Sequence, residues 1–192
     1  MDNIAYLIPV AGIIALLFAF YKSTIVAKAD AGTDRMKRIA ENITAGAMAF
    51  LKAEYKVLAI VVIAVAALLV FLYQDAKLIA LSFVVGAICS ALAGLIGMKV
   101  ATKANVRTAN AARTGLNKAL DVAFSGGAVM GLGVVGLGTL GLGSLFIFYQ
   151  NQYSGDIKSV LTVLTGFSFV FALGPLSAFV SSVTLILFRA SE

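Results

Sequence analysis

The stretch LIALSFVVGAICSALAGLIGM, Leu78 to Met98, decides the fold. It contains no Asp, Glu, Lys or Arg. A helix needs about 17–25 mostly apolar residues to cross the hydrocarbon core of a bilayer. Four other stretches share this character: Asn3–Tyr21, Val57–Tyr73, Val122–Gly155 and Ser159–Phe188. In lipid every backbone amide must be bonded internally, which a helix does within one segment, and the short alternating strands of a barrel are missing here. Hydrophobic residues make up 61% of the 192 and charged residues 12%, with a mean hydropathy of +1.01. A water-soluble domain carries about twice that charged share. The expected fold class is all-α, a polytopic transmembrane helix bundle of about five spans.

The net charge of +6 acquires a meaning once the charges are placed. Lys22, Lys28, Arg35, Lys37, Arg38, Lys52 and Lys56 lie between the first and second spans, and Lys99, Lys103, Arg107, Arg113 and Lys118 between the third and fourth. The other two connections hold one each, Lys77 and Lys158. Twelve of fifteen basic residues therefore fall on one side of an alternating topology, which is the cytoplasmic side by the positive-inside rule. This accounts for the charge without a nucleic-acid partner and expects the N-terminus outside. The chain opens Met1-Asp2-Asn3, without the positive flank of a secretory signal, so the first stretch reads as an uncleaved span.

Both basic connections have helical character. Ile39, Ile43 and Phe50 recur at helical spacing ahead of the second span, and residues 38–56 contain no Pro and one Gly. Lys99, Lys103 and Arg107, spaced by four, form a basic stripe below the third span. Such a stripe suits anionic lipid headgroups, or attraction of an anionic substrate to a cytoplasmic opening. Lys118 and Asp121 have the spacing of a helical ion pair.

Gly126-Gly127 leads into a tandem repeat, Gly131-Leu-Gly-Val-Val, Gly136-Leu-Gly-Thr-Leu and Gly141-Leu-Gly-Ser-Leu. It includes a formal dinucleotide fingerprint, Gly131-x-Gly133-x-x-Gly136. That fingerprint works only between a strand and a helix N-terminus, and these glycines sit inside a lipid-length apolar run. There small residues let helix backbones approach. Steps of five advance about 140° around a helix, so the glycines wrap several faces and expect neighbours on each.

The chain has no His, which excludes Ser-His-Asp and Cys-His catalysis and His-ligated metals. Cys89 is its one cysteine. Asp30 and Asp34 are the nearest approach to a carboxylate cluster. On a helix they would be neighbours able to hold a magnesium ion; in a loop beside Lys28, Arg35 and Lys37 they would be solvated and paired. No mid-span ionisable residue marks a transport path. The expectation is that this chain holds no catalytic, cofactor-binding or metal-ligating residue.

Several strings resemble the amino-terminal part of membrane-bound inorganic pyrophosphatases, pumps driven by pyrophosphate. They are Ala29-DAGTDRMKRIAENITAGAMAFLKAE-Tyr55, Gly94-LIGMKVATKANVRTANAA-Arg113, the run from Ala119 through the glycine repeat to about Phe146, and Val160-LTVLTGF-Ser168. The resemblance covers residues 1 to about 168. It implies a bundle of roughly sixteen helices paired as a homodimer in the full-length family, in the plasma (inner) membrane, multi-pass. It also implies hydrolysis of magnesium pyrophosphate at the cytoplasmic end, coupled to outward movement of Na⁺ or H⁺, with K⁺ as a potential activator. Its Mg²⁺ ligands lie beyond the region resembled. After Ser168 the strings part: the family continues with small residues and an Arg-Val-Gly-Gly-Gly turn, whereas this chain reads Phe169-VFALG-Pro175, stays apolar to Phe188 and ends at Glu192. The expected organisation is thus 1–168 as N-terminal pump helices and 169–192 as a divergent tail, from a frameshift or a rearranged gene. The expected function is the N-terminal part of a pyrophosphate-energised ion pump, inactive alone. The alternative is a non-enzymatic membrane bundle, or a partner subunit completing a split pump.

Overall fold

A computed structural model of the chain describes residues 5–72, 77–153 and 156–172, which are helical throughout apart from short turns. We label the helices α1 (Leu7–Lys28), α2 (Asp34–Leu72), α3 (Lys77–Ala112), α4 (Leu116–Gln152) and α5 (Ile157–Ala172). The first four are each long and apolar enough to cross a membrane, and α5 is shorter. The protein is an all-α bundle of about five transmembrane-type helices. The opening Met1-Asp2-Asn3, the Gly174-Pro175 pair and the tail from residue 173 lie outside the described residues.

Length follows from charge placement. At 1.5 Å per residue, α2 with 39 residues and α4 with 37 each run about 55–60 Å, nearly twice a hydrocarbon core of about 30 Å. The excess of α2 and α3 holds most of the basic residues, so both basic connections are helical as their spacing predicts. Only Ala29–Thr33 and Arg113–Gly115 separate the long helices at this end. The first turn of α2 is held by the ion pair between Lys37 and Asp34 at 3.4 Å. Among the described residues Lys118 and Asp121 make no such pair, contrary to their spacing.

α4 lies at the centre. It packs along α1 on one side and α3 on the other, while α2, of the four long helices, touches α3 alone. None of the apolar window of α2 is buried, which makes it the outermost helix. The glycines of α4 explain its place. A Cβ on Gly136 would meet Leu16 of α1 at 2.8 Å, and one on Gly126 would meet Ala104 of α3 at 2.7 Å. One on Gly141 would meet Phe167 of α5 at 2.7 Å. Gly126 and the repeat together therefore serve three neighbours, as steps of five require. Where Gly12 of α1 crosses α4, a Cβ would lie 2.8 Å from the Leu140 backbone nitrogen, so this crossing admits only glycine.

The core divides by depth. Toward the end opposite the basic one, Tyr149, Val160, Val163 and Leu164 pack together. The Tyr149 hydroxyl donates to the Leu78 carbonyl at 3.1 Å and accepts from Ser82 at 2.9 Å. Both side chains are fully buried, so the pair satisfies polar atoms that apolar surroundings would otherwise strand. Phe83, Ala87 and Val170 hold α3 to α5 and receive Val62, Val65 and Leu69 of α2.

Candidate functional site

Polar chemistry gathers at the basic end, where α1 stops. The last carbonyls of a helix have no partner within it. Arg107 of α3 supplies one: its Nε donates to the Ala29 carbonyl at 3.0 Å, and Nη2 donates to Ala27 at 3.3 Å. Nη1 donates to Lys103 within its own helix at 3.0 Å. One turn on, Asn110 Nδ2 donates to the Asp30 carbonyl at 3.3 Å and to its carboxylate at 3.1 Å. The other Asp30 oxygen accepts from the Gly32 amide at 3.0 Å. Gly32 has φ +81°, in the left-handed region, and a Cβ there would come 2.7 Å from Asn110 Oδ1. The end of α1 and the connection 29–33 are thus clasped to α3 by four hydrogen bonds from two side chains, Arg107 and Asn110.

These bonds set the charge state of Asp30. The Gly32 amide, then the Asn110 side chain and the positive charges of Lys37 and Arg107, hold its carboxyl below the ordinary carboxylate range. Asp30 lies in the turn and Asp34 opens α2, and their oxygens are directed to different partners, Gly32 and Asn110 for one and Lys37 for the other. The two carboxylates do not form a helical pair, and each is engaged by its own partners. Among the described residues no three His, Cys, Asp or Glu side chains come together.

The basic stripe divides in the structure. Lys99 and Lys103 are exposed, whereas Arg107 turns inward to cap α1. Sequence reasoning took all three as one surface and missed the role of Arg107 and Asn110. The available signal was their three-residue spacing on one helix face, combined with an Asp-x-Gly turn at Asp30 that needs a partner.

Two clefts lie between α2 and α3, and a third sits at the opposite end of α3. A polar groove of about 530 Å³ between the basic ends of α2 and α3 is lined by Lys37, Glu41, Thr44, Thr102, Lys103 and Arg107. An apolar cavity of about 180 Å³ lies deeper, among Leu51, Tyr55, Gly94, Gly97, Met98 and Met130. The Tyr55 hydroxyl crosses beside it to donate to the Ala91 carbonyl, seated over Gly94 where a Cβ would intrude. This arrangement can position helices and attract anions.

The likeness to known proteins is extensive along this chain. The family model described as inorganic H⁺ pyrophosphatase matches residues 13–181. A K⁺-insensitive pyrophosphate-energized proton pump of Methanosarcina mazei is 44% identical over 149 residues, covering 78% of this chain and 22% of that protein. A putative K⁺-stimulated pyrophosphate-energized sodium pump of Clostridium tetani is 55% identical over 124 residues, covering 64% and 18%. A K⁺-insensitive proton pump of Caldanaerobacter subterraneus is 36% identical over 182 residues, covering 86% and 26%. The chain therefore spans about a fifth of the length of the curated relatives it matches. With its central glycine helix, its clasped basic end and most of its length matched by the family model, the chain belongs to the inorganic H⁺ pyrophosphatase family.

Proposed function

We propose that this chain supplies part of the helix bundle of a pyrophosphate-energised ion pump, which hydrolyses magnesium pyrophosphate and moves Na⁺ or H⁺ across the membrane. The observation that carries this reading is the family match over residues 13–181, with relatives whose names describe proton and sodium pumps. In this reading the basic end faces the cytoplasm, the N-terminus is outside, and the membrane is the plasma membrane. The ligands of Mg²⁺ and the determinants of any K⁺ response belong to parts of the pump other than these helices, and the full-length pump pairs as a homodimer. The divergence from the family is placed in residues 169–192, of which the family match still reaches 169–181.

The chain's own role is architectural. α4 carries a glycine face to each of three neighbours, and the clasp at Arg107 and Asn110 fixes the cytoplasmic ends of α1 and α3 in register. Membranes carrying this chain alone should show no magnesium-dependent release of phosphate from pyrophosphate. Sustained release above that of empty membranes would refute an architectural role.

A partner-subunit role in a split pump is favoured by one specific feature. Gly127 and Gly131 of α4 face open space while the other contact glycines of that helix are filled. Co-purification of this chain with a second pyrophosphatase-like chain would support it.

A further inference from the structure

α2 carries a continuous apolar seam that nothing in the described structure covers. Ile39, Ile43, Gly46, Phe50, Ala53, Val57 and Ile60 follow one another at steps of three and four, and all are exposed. This is the spacing of a helix–helix seam of the coiled-coil type. Lipid explains only its upper part. Ile39 lies 18 residues before Val57, about 27 Å along the helix, beyond the headgroup layer of a bilayer whose core ends near Val57. Ile39 and Ile43 are each 51% exposed, so in water they would leave an apolar strip on a charged helix.

Three features identify what covers the strip. The seam runs unbroken from the aqueous part into the apolar span on one face, so its partner follows α2 through both. At its aqueous centre Gly46 has nothing within 4 Å, which admits a large side chain from a closely packed helix. Its free flank, turned from α3, carries Arg38, Lys52 and Lys56, all exposed, against one acidic residue, Asp34, at the azimuth of Lys52, and so stays net positive. A second copy of α2 would bring these charges together, whereas a helix with acidic residues beside its own seam would complement them.

We infer that the outer face of α2 receives another transmembrane helix, one that extends well into the cytoplasm with an apolar seam and an acidic flank. This rests on the pump reading above, because the partner comes from the four-fifths of a pump that this chain does not span. The test is photo-crosslinking from a benzoylphenylalanine placed at Ile43. The chain would be expressed with the Clostridium tetani relative lacking the region that matches it. The expected result is a crosslink to that relative, reduced several-fold by Arg38→Glu with Lys56→Glu. Two results overturn the seam while leaving the pump reading intact: a crosslink only to a second copy of this chain, or none at all while the two chains co-purify and hydrolyse pyrophosphate. Failure of the chains to associate in any form would overturn both.

Discussion

The glycines of α4 and α1 make the sharpest claims about single residues. Gly12→Val would push a side chain into the Leu140 and Gly136 backbone, and overpacking of this kind costs about 1–3 kcal/mol. Gly127→Ala and Gly131→Ala meet open space, and replacing a helical glycine by alanine gains up to about 1 kcal/mol. Thermal unfolding of the isolated chain in detergent should thus fall for the first and hold or rise for the other two. At the clasp, the Asp30 carboxyl titrates below its ordinary value. A lowered folded pKa gives a contribution that is full above the unfolded value of about 3.9 and is lost as pH falls through the folded one. Amide exchange at Gly32, corrected for intrinsic rate, should accelerate in that acid window, and Asp30→Asn should abolish the step. The repeat itself was legible from its five-residue steps. The identity of each neighbour was not, because which face meets which helix depends on axial register that only packing fixes.

Among the four long helices, α2 has the fewest attachments. It is tied to α3 by the Tyr55 hydroxyl, the side chains around Leu51 and the apolar contacts of Val62, Val65 and Leu69. Tyr55→Phe removes one hydrogen bond, worth about 0.5–1.5 kcal/mol, and should raise protease sensitivity of α2 more than of α4. Cleavage mapping by mass spectrometry would show it. Helix extents were readable because charge-free runs and continuous helical spacing at 38–56 mark where a helix can begin and persist. The association of α1 with α4, rather than with its neighbour in sequence, was not readable. Nor was the clasp, since Arg107 reaches Ala29 across 78 positions. Arg107 read as a contact for headgroups or an anionic substrate because spacing alone reports a face and cannot say whether solvent or another helix covers it.

At the level of the whole molecule, four long helices and a shorter one make a glycine-packed sheaf whose basic residues gather at one end. Family membership was legible in the strings around Asp34, Lys103 and the glycine repeat. The apolar side chains left uncovered on α2 and the open glycines on α4 are physical reasons to place this sheaf within a larger bundle. The most direct measurement is a chimera in which this chain replaces the matching region of the Clostridium tetani relative. In sealed vesicles the chimera should retain magnesium-dependent pyrophosphate hydrolysis and pyrophosphate-driven sodium movement. A chimera that inserts and folds, yet neither hydrolyses pyrophosphate nor moves the ion, would contradict the claim that these helices are a working part of such a pump.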